Sequence, residues 1–456
     1  MISLRPYQAK IVADIRDAFK THRRVLLVSP TGSGKTIMFS YLAQAVQAKD
    51  KRVYILVHRD ELVEQVSATL KAFGVEHGFI AAGRPVSTHH VLVCSVFTLA
   101  NRVQDYKAPD LLIIDEAHHA THGSTWARVL GYWANAYRLG VTATPIRLDG
   151  RDLTGQFDVL VEGPAVGELI GHGDLCAYRM YTPPVVLGQL RMRMGDFVRS
   201  DASAAMDKPT ITGDAVSHYT RLASGKRALV FCVSLEHAEH TAEAFRAAGY
   251  NAQRIDGKMD RNARRALVNK FSHGAVQVMT SCDLVSEGFD LPAIEVAILL
   301  RPTASLGLYL QQVGRSLRVF PGKEYALILD HAGNAGRHGL PDDEREWSLG
   351  EDRSKKSKSK GTKPVFAVRT CKVCYAASRP RTLVCPHCNT EFPPEPREVT
   401  QKPGELVEVD VMRAKIDARR EVGLAKGLDA LVALEKQRGY RPGWAMHVWG
   451  SRGRRS

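Results

Sequence analysis

The sequence predicts an α/β protein made of two tandem parallel sheets covered by helices, followed by a small cysteine-bound module and a basic tail. Three observations carry this. Short Val/Ile/Leu runs alternate with amphipathic stretches twice along the chain, and runs apolar at every position suit strands buried on both faces. A polar stretch ending in RSKKSKSKGTK (353–363) then interrupts the pattern. Beyond it, four of the eight cysteines cluster between 371 and 388.

The strands of the first unit are expected at Val25–Val28, Val53–Val57, Val91–Val93, Leu111–Ile114 and Arg138–Val141, with a helix over Asp60–Phe73 among the connections. Those of the second unit are expected at Ala228–Cys232, Ala252–Ile255, Val276–Met279, Val296–Leu300 and Ala326–Leu329. Helices over Glu236–Ala248 and Arg261–Phe271 lie between them. Residues 150–225 show no clear period. The expected division is 1–165, 166–338, a basic flexible linker over 339–364, a cysteine module over 365–395, and a basic, partly helical tail over 396–456. A helix pattern runs from Val411 to about Arg438.

Composition excludes several classes. Hydrophobic residues make up 44% and charged residues 24%, enough apolar material for sizeable cores, so disorder throughout is excluded. No run approaches the roughly 18 apolar residues of a membrane span. The start, MISLRPYQAK, lacks the apolar core of a secretion signal, so a cytoplasmic protein is expected. The net charge of +15 suggests a polyanionic partner. It is unevenly placed: residues 353–456 hold 23 of the 63 Lys/Arg but 10 of the 48 Asp/Glu, leaving +13 there and +2 before it. Such a block reads as an interaction tail or as a solubilising one.

The first strand runs into Ser29-Pro30-Thr31-Gly32-Ser33-Gly34-Lys35-Thr36 and then a helix, the context a phosphate-binding loop needs. Gly32 and Gly34 allow the backbone to curl so that its N–H groups face phosphate oxygens. Lys35 would reach the β- and γ-phosphates of a nucleotide, and the Thr36 hydroxyl would ligate Mg²⁺. Ser29 stands where the general pattern has Gly. The strand Leu111–Ile114 ends in Asp115-Glu116-Ala117-His118. A parallel strand delivers these to the same sheet edge, so Asp115 would face the Mg²⁺ through water and Glu116 would polarise the attacking water.

With Thr142-Ala143-Thr144-Pro145 added, the set resembles motifs I, II and III of the superfamily 2 helicases of the DEAH-box type. Arg5-Pro6-Tyr7-Gln8 resembles their upstream adenine-sensing element, with Gln8 on the base. Val57–Leu62 with Gln65 resembles motif Ia, whose His58 and Arg59 would touch nucleic acid. Leu229–Ser234 resembles motif IV, Cys282–Asp290 motif V and Gln311–Arg318 motif VI. The ordered set covers about three quarters of the chain. With the later cysteine cluster, the chain is most similar to RadD-type bacterial DNA-repair helicases and their phage-borne relatives. The end, Arg438–Ala445, also resembles tails of phage-encoded helicases.

The resemblance implies two RecA-like P-loop domains with ATP in their cleft. Arg315 and Arg318 would act as arginine fingers, Gln311 would order the γ-phosphate, and Gly288 and Asp290 would meet the ribose. His118, Thr142 and Thr144 would couple the nucleotide state to the domain interface. Motif V often opens with a Thr that holds a nucleic-acid phosphate. Here it is Cys282, a poor donor, which puts that contact in question.

Cys371-x2-Cys374, ten residues, then Cys385-x2-Cys388 is spacing for a tetrahedral ion, and four thiolates suit a structural Zn²⁺. Redox pairs and an iron–sulfur cluster are the alternatives. His387 reads as exposed. Arg369, Lys372, Arg379 and Arg381 around the module suit phosphate contacts, and Trp444 and Trp449 suit either base stacking or burial. The leading expectation is an ATP-dependent DNA helicase or translocase of replication, recombination or repair in a bacterial or phage-infected cell. The alternatives are a DNA-stimulated ATPase that remodels protein–DNA complexes or branched DNA, a recruitment protein docking a protein partner through its zinc tail, and an RNA helicase. No membrane association is expected, and no nuclease motif is visible.

Overall fold

Among the described residues, seven strands make the first sheet: β1 (Arg24–Val28), β2 (Val53–Val57), β3 (Gly78–Ile80), β4 (Val91–Ser95), β5 (Leu111–Asp115), β6 (Tyr137–Thr142) and β7 (Val159–Glu162). All pair in parallel, in the order β3-β4-β2-β5-β6-β1-β7. The computed structural model describes residues 3–120, 125–145, 153–183, 187–282, 291, 293–350, 368–392, 418, 420–425 and 427–452. Side chains alternate between the faces, as a strand's period of two requires. Val25, Leu27, Val53, Ile55, Ile113 and Val141 join one core with helices Pro6–Thr21, Lys35–Gln47 and Asp60–Ala72. Leu26, Val28, Tyr54, Leu56, Leu112 and Ile114 join another with helices Val96–Ala100 and Thr125–Tyr132.

The second sheet holds β8 (Ala177–Tyr181), β11 (Ala228–Phe231), β12 (Ala252–Ile255), β13 (Val278–Ser281), β14 (Val296–Leu299) and β15 (Tyr325–Asp330), parallel in the order β12-β13-β11-β14-β15-β8. A hairpin, β9 (Met192–Arg193) and β10 (Asp196–Phe197), stands between β8 and β11 in sequence. β13 starts two residues later than expected, and β3, β7 and β8 were not foreseen. Each of these three is an end strand of its sheet. An end strand is covered less completely, so it does not need a continuous apolar run.

Residues 339–350, expected to belong to a flexible linker, are instead fixed to both sheets. The Arg345 guanidinium donates to the carbonyls of His338, Leu340, Pro341 and Asp343. Trp347 and Leu349 then pack on the first lobe, where Leu153 N donates to Leu349 O at 3.3 Å. Two apolar anchors inside a polar stretch hold the strap. Residues 351–364 of that linker lie outside the described residues.

The cysteine module, with a small hairpin of β16 (Arg369–Thr370) and β17 (Ala377–Ser378), packs on the end strand of the second sheet. Tyr181 bridges Ala376, and Thr182 N donates to Tyr375 O at 2.8 Å. Arg379 pairs with Asp342 at 2.8 Å. Residues 394–456 form a separate unit. Its helix ends before Gly427, whose φ of 105° breaks the pattern expected to continue to Arg438. Helices Leu428–Arg438 and Trp444–Arg452 follow, and residues 411–417 lie outside the described residues. No helix among the described residues is long and apolar enough to cross a membrane.

Close packing at β6 gives a test. A Cβ on Gly140 would sit 2.3 Å from Phe157 Cζ and 2.9 Å from the Ala117 Cβ. Gly140→Ala is expected to cost about 1–3 kcal/mol, read as a lower denaturant midpoint for the first lobe. An unshifted midpoint would contradict this packing.

Candidate functional site

The parallel order decides what meets at the sheet edge. β2, β5, β6 and β1 are successive neighbours, so their C-terminal ends line up. These ends carry His58, then Asp115 and Glu116, then Thr142, then the loop from Ser29. Motifs far apart in sequence thereby sit one strand spacing apart, about 4.8 Å.

The loop between β1 and helix Lys35–Gln47 turns through two left-handed glycines, Gly32 (φ 90°) and Gly34 (φ 79°). Ser29, in the place of the usual Gly, is accommodated: its hydroxyl donates to Ser33 Oγ at 2.7 Å, and Gly163 leaves room beside it. The Lys35 ammonium donates to Ser29 O at 3.0 Å and Pro30 O at 3.2 Å. Burial pushes its pKa down, against the opposing pull of Glu116 and Asp115. Thr36 follows on the first helical turn. Gln8 is buried on the loop, its amide donating to Ser33 O at 3.1 Å, while Tyr7 OH donates to the same carbonyl at 2.8 Å. A Cβ on Gly34 would meet Gln8 Nε2 at 2.4 Å, so this approach itself needs glycine.

Asp115 is 5% exposed, and burial raises its carboxyl pKa, with the Glu116 charge adding to the rise. Glu116 adopts the left-handed conformation (φ 50°, ψ 54°), a costly backbone state for a residue with a Cβ. His118 Nδ1 lies 3.1 Å from Thr142 Oγ1 and 3.5 Å from Glu116 Oε2. Thr142 Oγ1 in turn donates to Thr144 O at 2.8 Å. The three residues expected to couple are thus hydrogen-bonded in one chain.

The second lobe meets this edge through helix Leu306–Ser316. Gln311 and Arg315 are each 5% exposed. A Cβ on Gly314 would be 2.8 Å from Thr31 Cβ, and one on Gly32 would be 3.5 Å from Arg318 Cγ. The Arg318 pKa falls to about 10 through burial. Gly288 and Asp290 lie outside the described residues. The Cys282 thiol donates inward to Val233 O at 3.2 Å. Arg59 is half-buried beside His58, whose ring lies tilted at 49° against that of His119 with centroids 4.5 Å apart. Two contacts escaped the sequence reading. Arg5 pairs with Asp174 at 2.7 Å, and His119 joins the rings of His58 and His118. The second had a local signal, the repeated histidine at 118–119.

The four clustered cysteines present their sulfurs to one another. Cys371 and Cys388 are 3.6 Å apart, as are Cys374 and Cys385, and all four lie within 4.8 Å. Four sulfurs at about 2.3 Å from a tetrahedral Zn²⁺ would be about 3.8 Å apart, so the set fits that ion. Cys371 and Cys385 are fully buried, whereas Cys388 is exposed.

For ATP hydrolysis at this edge, the loop lysine and the strained glutamate are the expected working groups. Lys35→Ala and Glu116→Gln are each expected to lower kcat for ATP at least about 100-fold with the fold retained. Turnover within a few-fold of the parent would overturn that assignment.

Residues 1–147 match the family described as Type III restriction enzyme, res subunit, and residues 212–320 match the helicase conserved C-terminal domain. A 51.5 kDa protein of Lactococcus phage (isolate 7-9) is 33% identical over 403 residues, covering 87% of this chain and 85% of that one. DNA 3'-5' translocase XPB2 of Sulfurisphaera tokodaii is 26% identical, over 72% of this chain and 81% of its own. Among solved structures, Saccharomyces cerevisiae Dbp5 bound to RNA and ADP BeF3 is similar in fold, with TM-score 0.51 and 13% identity over 72% of this chain and 88% of that one. The two family matches, one on each lobe, and the edge that the lobes share place the chain among the superfamily 2 helicases, as a two-lobed, nucleic-acid-dependent ATP hydrolase of RecA-like fold.

Proposed function

We propose that the protein is an ATP-dependent DNA helicase or translocase that converts lobe closure on ATP into movement along DNA. The contact between Gly314 and Thr31 carries this reading: the helix bearing Gln311 and Arg315 already abuts the phosphate loop of the other lobe. ATP between them would be held by Gln8 and by the backbone of Pro30–Gly34, with Lys35 on its phosphates. Mg²⁺ would sit at Thr36 and Asp115, Glu116 would orient the attacking water, and Arg315 and Arg318 would neutralise the transferring phosphoryl group. Gly288 and Asp290 remain assigned to the ribose by resemblance, and His58 and Arg59 to the nucleic-acid backbone. Cys282, with its thiol turned inward, leaves the backbone contact at motif V to neighbouring amides.

The motif set supports a DEAH-box protein of the RadD type. The DNA translocase of Sulfurisphaera tokodaii supports DNA over RNA, and the phage relative supports a bacterial or phage-infected cytoplasm. Cys371, Cys374, Cys385 and Cys388 would hold a structural Zn²⁺. The module's burial on β8 favours a stabilising role for it and leaves the basic tail, 396–456, as the auxiliary DNA grip.

ATP turnover measured with single-stranded, double-stranded and forked DNA and with RNA, beside strand displacement, tests the reading. DNA stimulation with displacement supports a helicase, stimulation without displacement a translocase or remodeller, and stimulation by RNA alone overturns the DNA assignment. Removing residues 394–456 is expected to weaken DNA binding about tenfold near 0.1 M salt and to flatten its salt dependence. Undiminished binding would return the tail to a recruitment role. Unchelated protein should carry one zinc per chain. Its removal should lower Tm by about 5 °C or more, because the module completes one side of the second lobe. A metal-free preparation of unchanged Tm would exclude the site.

A further inference from the structure

We propose that His119 is a positioning residue that links nucleic-acid contact at His58 and Arg59 to the hydrolytic Glu116. Three imidazoles form a column along the sheet edge. The rings of His58 and His119 lie 4.5 Å apart at 49°, and those of His119 and His118 lie 4.2 Å apart at 40°. At the far end, His118 reaches Thr142 Oγ1 at 3.1 Å and Glu116 Oε2 at 3.5 Å. The column therefore spans the ends of β2, β5 and β6, and its middle ring belongs to none of the motifs that bind nucleotide.

Its placement explains how a small shift would travel. β2 and β5 are hydrogen-bonded neighbours, so their frames do not move apart. The segment beyond β2 is a loop end, where a phosphate contact can displace the His58 ring. His119 closes the 3₁₀ turn Ala117–His119, and that turn begins directly after Glu116. Glu116 holds a left-handed backbone that persists only where its surroundings impose it. Pressure on the His119 ring thus acts on the turn that sets the Glu116 carboxylate, through rings that are half-buried at His58 and His119 and buried at His118. Removing the middle ring takes away both ring contacts of the column, although every strand pairing survives. The inference rests on the reading that His58 and Arg59 meet nucleic acid.

The test compares ATP turnover of the full chain with and without single-stranded DNA, for parent, His119→Ala, His119→Gln and His119→Phe. The two ring-deleting variants are expected to keep basal turnover within about twofold and DNA affinity within about threefold, and to lose about tenfold in DNA stimulation. His119→Phe, which restores an aromatic ring without imidazole nitrogens, should regain most of the stimulation. His119→Gln and melting temperatures cover the case in which the alanine protein is merely unstable. Full stimulation without the ring overturns the relay, and so does a parallel fall of basal and stimulated rates, which is the mark of a structural role. An Arg59→Ala protein with unaltered DNA affinity overturns the contact end of the relay and the underlying reading together, whereas weakened DNA binding with normal stimulation in the His119 variants removes only the relay.

Discussion

Parallel pairing is the constraint on which the rest depends. Neighbouring parallel strands run in the same direction, so every strand end that bears chemistry emerges on one edge. In the first sheet the neighbours β2, β5, β6 and β1 bring His58, Glu116, Thr142 and Ser29 side by side. The spacing between these residues in sequence is irrelevant to the site; their strands' positions in the sheet decide it. The second sheet repeats the arrangement and supplies the helix with Gln311 and Arg315.

The approach of the two lobes is tight enough to select residues. A Cβ on Gly32 would come 2.8 Å from Leu175 Cδ2, and one on Gly314 would come 2.8 Å from Thr31 Cβ, closer than side chains pack. Gly34 leaves space for Gln8, and Gly163 for Ser29. Glycine here serves close packing between segments as much as the curl of the phosphate loop. The strained Glu116 belongs to the same economy of space, since the turn after it must carry His118 to Thr142 and His119 to His58.

Much of this was legible because it is local. The central strands are apolar at every position, as two covered faces demand, and the phosphate loop and the Cys-x2-Cys pairs are short-range patterns set by bond geometry. The edge strands β3, β7 and β8 escaped because their half-covered positions relax that demand. The strap 339–350 escaped because Trp347 and Leu349 sit among charged residues and pack on apolar neighbours distant in sequence, in the first lobe. The inward thiol of Cys282 and the ring column at His119 are tertiary facts. The cysteine spacing marks a metal module, but that Cys371, Ala376 and Cys385 lie in the core of the second lobe is a tertiary fact with no local pattern.

The strap has a consequence for how the protein is made. The first sheet is complete once Glu162 has been synthesised, yet one of its cores is finished by Trp347 and Leu349, which follow the whole second sheet. A chain leaving the ribosome N-terminus first therefore carries a nearly finished lobe with an uncovered apolar patch until the second lobe has emerged. During that interval the patch is a site for chaperones or for self-association. The strap, once made, covers the patch with Trp347 and Leu349 while Leu340 holds its other end in the core of the second lobe.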